Sequence, residues 1–146
     1  MNSDANVQGA LLCPAPFSDP IEIRLAHGGG GRMSQALLER VILPRLKGEA
    51  AALHDAAVLP ATAGRIALAT DAFVVQPLFF PGGDIGSLAV FGTVNDLLMA
   101  GAQPLALTLS LILEEGLAIA LLERVLDSVQ RAALRCGVQV VAGDTK

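Results

Sequence analysis

The chain has 146 residues, enough for about one domain. Its 10 Lys and Arg against 14 Asp and Glu give a net charge of −4, which speaks against a partner gripped through a nucleic-acid backbone. Aromatic residues are only 3%, with no Trp or Tyr, so flat stacking platforms for bases are absent too, while a hydrophobic content of 53% excludes a disordered chain. The two cysteines, Cys13 and Cys136, form neither a disulfide framework nor a zinc pattern, and a reducing, cytoplasmic setting is expected.

Residues 1–20 carry Pro, Ser and Asp without a basic start, and read as a loose leader rather than a signal peptide. Ile21 to Leu25 alternates apolar and polar residues and is expected to be a half-buried strand. The run His27-Gly-Gly-Gly-Gly-Arg32 follows. A helix is expected from about Met33 to Leu43, stopped by Pro44. Ala56 to Pro60 and Arg65 to Thr70 flank a short Thr-Ala-Gly loop and predict a hairpin, with Ala72 to Val75 extending its second arm. Pro81 to Gly86 reads as a turn that starts a helix with Asp84 as its cap.

That helix is expected from about Ile85 to Ala100, ended by Gly101. Leu105 to Glu114 alternates large and small residues and predicts a second strand, broken at Gly116. Its apolar run from Pro104 stops at Glu114, well short of the ~18 residues a membrane span needs. An amphipathic helix from Leu117 to Cys136, closed by Gly137, leads to a strand over Val138 to Ala142 and a terminal Gly-Asp-Thr-Lys loop. The expected class is α/β or α+β, a mixed sheet packed with helices.

The helix Gly86 to Ala102 is apolar nearly all round and is expected to be buried. Asn95 and Asp96 sit in its middle, and a buried carboxylate needs a partner or a metal. Ala89, Gly92, Thr93, Asp96 and Ala100 share one face of small residues, which leaves room for a ligand or a close backbone. Asp55, Asp71 and Asp144 stand where strands end, where Asp is also a common cap or turn residue. Together with Asp96 they suggest a Mg²⁺ site shared with nucleotide phosphates, because convergent carboxylates repel without a cation. The glycines Gly28, Gly29, Gly30 and Gly31 with Arg32 suggest a phosphate cradle, although no Gly-Lys-Ser/Thr closes the run. Lys146, with Asp144 and Thr145, is a candidate for the reacting centre, and His27 for proton transfer.

The segments LAHGGGGRM, DAAVL, ATDAFVVQPLFFPGGDIGSLAVFGTVNDLLMAGAQP, LILEEG and VVAGDTK resemble the hydrogenase maturation HypE family, within the AIR synthase-like (PurM-like) superfamily. The resemblance implies a PurM-like N-terminal domain over residues 21–146 whose sheet joins that of a second copy in a homodimer. It implies Mg²⁺ and ATP-phosphate carboxylates at Asp55, Asp71, Asp96 and Asp144, and polar groups lining the nucleotide at Thr93 and Asn95. His27 to Arg32 would form a mobile loop over the nucleotide, and Lys146 the family's reactive lysine.

The implied activity is ATP-dependent dehydration of a carbamoyl group on the family's own C-terminal cysteine, giving a thiocyanate. HypF would donate the carbamoyl, and the HypC–HypD complex would receive the cyanide for the [NiFe]-hydrogenase site. The family's second domain and cysteine tail do not appear here, so the chain is expected to be the N-terminal domain alone, able to dimerise but not to turn over. A non-catalytic dimerisation or scaffold module is the competing reading. Another ATP-using PurM-like enzyme is the third, disfavoured by the FFPGGDIG segment and, for a selenophosphate enzyme, by the lack of a cysteine near the glycine run.

Overall fold

The structure, a computed structural model, describes residues 21–46, 56–60 and 63–146. Asp55, His54, Cys13 and the expected leader lie outside the described residues. The centre of the fold is a β-α-β unit: β3 (Ala106–Leu111), α4 (Ile119–Cys136) and β4 (Gln139–Thr145). β3 and β4 pair in parallel, from Ala106 opposite Gln139 to Leu111 opposite Thr145, with an irregularity at Leu107 and Thr108. β4 therefore continues through the Gly-Asp-Thr sequence that was expected to be a loop. Six backbone partners along β3 hold it there, and Lys146 N–H still donates to Leu111 O at 2.8 Å.

α4 is strongly amphipathic, and its apolar stripe organises two cores. Val129, Ala132 and Ala133 pack with Val90, Val94, Leu107 and Val138. One to two turns earlier, Leu122 and Leu126 pack with Ile23, Leu37, Val41 and Ile42. The helix ends as its sequence predicts, at Gly137 with φ 68°, a left-handed conformation that glycine adopts without a Cβ penalty.

α3 (Ile85–Met99) crosses α4 at close range. Asp84 caps it as expected: one carboxylate oxygen accepts the Ser87 N–H at 2.9 Å, and the other accepts the buried Ser128 hydroxyl of α4 at 2.6 Å. The cap thus also ties the two helices together. Gly86 explains its own small size, since a Cβ there would lie 2.5 Å from Val125 O and 3.1 Å from Val129 Cγ2. Before α3, β1 (Phe79–Phe80) and β2 (Gly83–Asp84) form a tight hairpin around Pro81-Gly82, with Arg124 of α4 stacked 4.1 Å from the Phe79 ring centre.

The N-terminal segment lies across the start of α4. Ile23 N–H donates to Leu117 O at 2.7 Å, and Gly116 and Ile119 N–H groups donate back to Ile23 O and Ile21 O. Only one bridge, Glu22 to Ala118, replaces the expected strand, and Leu25–His27 turns as a short 3₁₀ helix into the glycine run.

Helix α1 (Arg32–Leu37) then runs through a π turn (Leu38–Ile42) into α2 (Leu43–Leu46). Pro44 does not stop this helix. The wider turn, in which Leu43 N–H reaches back to Leu38 O, falls immediately before it and eases the ring's clash with the preceding turn. Arg45 ties α2 to α4 through ion pairs of 3.0 Å to both Glu123 and Asp127.

The expected hairpin over residues 56–75 is not formed. Among the described residues 56–60 and 63–75 there is no strand pairing, and Val58 and Leu68 are 93% exposed and Val74 fully so. Among the described residues no other strand takes up the hydrogen bonds of these apolar segments. Phe73 is the exception: its ring lies on Gly92 of α3, where a Cβ would come within 2.6 Å of it.

Candidate nucleotide site

Two sequence-distant motifs meet at the C-terminal end of the β3–β4 pair. A cavity of about 80 Å³ is lined by His27 and Gly28 of the glycine run and by Thr145 and Lys146 of the terminal motif, together with Arg24 and Glu115. The C-terminal end of parallel strands is where α/β folds commonly bind ligands. Backbone bonds set this geometry. Lys146 N–H donates to Leu111 O at 2.8 Å and Leu113 N–H to Lys146 O at 2.7 Å, while the loop after Leu113 carries the partners of Ile23.

His27 is buried, and the Arg24 N–H donates to its Nδ1 at 2.8 Å. Arg24 O lies 3.2 Å from the same nitrogen, so the Arg24 backbone engages Nδ1 and leaves Nε2 as the other polar atom of the ring. Ser34 Oγ donates to His27 O and accepts the Gly30 N–H at 3.0 Å, which folds the glycine run over the start of α1. Gly30 needs its φ of 72° for that fold. Gly28, Gly29, Gly30, Gly31 and Arg32 are exposed, and a Cβ would meet open space at Gly30 and Gly31. A wider groove of about 800 Å³ opens on the other side of His27, lined by Arg32, Arg40 and Glu123 among others.

Lys146 extends its ammonium to Asp144 at 3.2 Å, and Asp144 Oδ1 also accepts the Thr145 N–H at 2.9 Å. Both side chains are exposed, so the pair is weak and easily exchanged for another anion.

Asp96 and Asn95 differ from expectation. They are exposed, because α3 buries only the face carrying Gly86, Val90 and Val94. Its other side leaves Phe91, Leu98 and Met99 open as well. The Asp96 carboxylate is thus solvated in the single chain and needs no buried partner. Thr93, one turn after Ala89, uses its hydroxyl on Ala89 O at 2.9 Å. Asp71 is also exposed, two residues before the Phe73 ring that rests on Gly92.

Among the described residues no three acidic, imidazole or thiol side chains converge to hold a metal. Asp71, Asp96 and Asp144 are hard oxygen donors of the kind Mg²⁺ accepts alongside phosphate oxygens, but they stand singly. Glu115 was not singled out as a site residue from sequence, yet it lines the cavity and accepts the Leu25 N–H at 3.1 Å. The Glu-Glu-Gly turn that presents it was the available signal.

A β-α-β unit with a glycine-rich segment folded against its strand ends defines a class. The chain belongs to the AIR synthase related proteins, N-terminal domain, a family that matches residues 53–146. More particularly, it is 48% identical over 125 residues to carbamoyl dehydratase HypE of Azotobacter vinelandii, covering 85% of this chain and 37% of that protein.

Among solved structures it is similar to hydrogenase maturation protein HypE in complex with ATP, with a TM-score of 0.79 and 50% identity over 84% of this chain and 36% of that one. It is also similar to a chain of a HypE–HypF complex, with a TM-score of 0.51 and 58% identity over 52% of this chain and 25% of that one. The chain thus spans little more than a third of the length of the first two of these relatives, and the match to the third covers a quarter of it. No helix among the described residues is long and apolar enough to cross a membrane.

Proposed function

We propose that this chain is the ATP-holding part of a carbamoyl dehydratase of hydrogenase maturation. The observation that carries the reading is the meeting of His27 and Gly28 with Thr145 and Lys146 around one cavity, 118 residues apart in sequence for Gly28 and Lys146. The similarity to a HypE solved with ATP supports the nucleotide, and the similarity to a chain of a HypE–HypF complex supports HypF as a partner, with HypF as carbamoyl donor being part of the proposal.

The reaction so proposed converts a cysteine S-carbamoyl group to a thiocyanate. The amide oxygen accepts the γ-phosphoryl group of ATP as the bond to the β,γ-bridging oxygen breaks and ADP leaves; its C–O bond then breaks with departure of phosphate, and the nitrogen gives up both hydrogens as protons while the C≡N bond forms. The chain's part in this is positioning and charge. The N–H groups of Gly28 and Gly30 hold the fold of the run through Leu25 O and Ser34 Oγ, and those of Gly29 and Gly31 with the Arg32 guanidinium bind phosphate oxygens at the start of α1. Lys146 leaves Asp144 and neutralises charge on the transferring group. His27, with Nδ1 engaged by the Arg24 backbone, offers Nε2 for proton transfer. Thr145, Thr93 and Asn95 add neutral polar contacts. Asp71, Asp96 and Asp144 stand singly among the described residues, so each would contribute at most one carboxylate to a phosphate-bound Mg²⁺, which would supply charge screening, with Asp55 as a further candidate.

Calorimetric titration of the chain with Mg-ATP tests this. Saturable binding is expected, and Lys146→Ala is expected to weaken it about tenfold, the worth of one charge-assisted contact. A chain that binds no Mg-ATP, or a K146A variant that binds as well as its parent, would leave the scaffold reading in place.

The exposed segments 56–60 and 65–75 lead to a second part of the proposal. A second copy covers them and pairs with them, as edge strands demand. Light scattering behind size exclusion is expected to give twice the chain's mass. A monomer at tens of micromolar would contradict it.

A further inference from the structure

We infer that Glu115 is a positioning residue that sets the glycine run against Lys146, an inference resting on the nucleotide site proposed above. The loop between β3 and α4 is bonded to both halves of that site. At one end, Leu113 N–H donates to Lys146 O at 2.7 Å. At the other, Gly116 N–H donates to Ile23 O at 2.8 Å, and Leu117 O accepts the Ile23 N–H at 2.7 Å.

Between them, Glu114 to Leu117 makes a tight turn, closed by Leu117 N–H to Glu114 O at 3.2 Å with Gly116 at φ 90°. Glu115 stands at the first central position of this turn, so its backbone has little freedom. Its Oε1 accepts the N–H of Leu25, 90 residues away, at 3.1 Å.

Leu25 is the first residue of the 3₁₀ turn that delivers His27 and Gly28 to the cavity, and Glu115 lines the same cavity. The Ile21 to Ile23 segment is already held by its own backbone bonds, so Glu115 is not needed to attach it. What Glu115 adds is the direction in which the chain leaves that attachment. Without the bond, the Leu25 N–H at the open start of the turn turns to water, and the glycine run loses its fixed angle to Lys146. The ammonium of Lys146 is paired with Asp144 and not with Glu115, so the acceptor oxygen of Glu115, rather than its charge, is what matters.

Two variants separate these roles. Glu115→Ala removes the acceptor, and Glu115→Gln keeps one amide oxygen for Leu25. Mg-ATP titration of the chain, thermal melting and amide hydrogen exchange are read on both. For E115A, the Kd for Mg-ATP is expected to rise about fivefold, the equivalent of one net hydrogen bond, with faster exchange at the Leu25 amide and a melting temperature close to the parent's. E115Q is expected to match the parent in all three. The inference is overturned if E115A binds Mg-ATP as the parent does, if E115Q is as weak as E115A, or if E115A melts far below the parent, which would make Glu115 a structural residue. A parent chain that binds no Mg-ATP strikes instead at the nucleotide site itself. Exchange at Leu25 then still reports whether Glu115 holds the turn.

Discussion

Gly86→Ala is expected to cost about 3 kcal/mol of stability, at the upper end of what overpacking a tight core does. The added methyl would sit 2.5 Å from the Val125 carbonyl oxygen and 3.1 Å from Val129 Cγ2. The first obstacle is helix backbone in the middle of α4 and cannot swing aside, so α3 must lift. Lifting it stretches the Ser128 to Asp84 bond and loosens Val90 and Val94 in the core. Ser128 would be left buried without its acceptor, which adds to the cost. Urea or thermal unfolding measures this directly. A variant as stable as its parent would mean that α3 and α4 do not approach as closely as described.

Gly143→Ala is the second large effect, and it links the fold to the site. A Cβ on Gly143 would lie 2.5 Å from Leu109 O on the facing strand. Gly143 is paired with Leu109 in the parallel ladder, one residue before Asp144 and three before Lys146. The methyl would force β4 away from β3 at that point, at a cost of about 2 kcal/mol. It would also move Thr145 and Lys146 relative to His27. Loss of both stability and Mg-ATP affinity is therefore expected, read by unfolding and by calorimetry on one preparation. Loss of affinity with full stability would place the effect in the ligand contact alone, and no loss of either would refute the close approach. Gly86 and Gly143 thus have a packing reason for being glycine, whereas Gly137 has a backbone reason, its left-handed φ.

Much of the helical scaffold was legible locally. α3 has a capping Asp84 at one end and Gly101 at the other, and α4 has an amphipathic period closed by Gly137; these signals act within a turn or two of chain and need no tertiary context. Elements that depend on partners were read less well. The alternation in residues 56–60 and 65–70 is that of strands, but a strand exists only when another strand accepts its hydrogen bonds, and among the described residues none does. Pro44 misled for the opposite reason, since a π turn upstream relieved the local clash. The apolar character of α3 implied burial all round, yet α4 and β3 cover only one side of it, so Asn95 and Asp96 face solvent.

Local patterning carried the class of fold, the order of its helices and the two motifs around which the site is built, because caps, periodicity and glycine runs are written in neighbouring residues. The meeting of His27 with Lys146 and the place of Glu115 between the two motifs were not legible there. Those relations come from the parallel pairing of β3 with β4 and from the backbone bonds that lay Ile21 to Ile23 across the start of α4. Such contacts span some 90 to 120 residues. No local pattern encodes them, because their free energy arises only once both partners are brought together by the packing of α4.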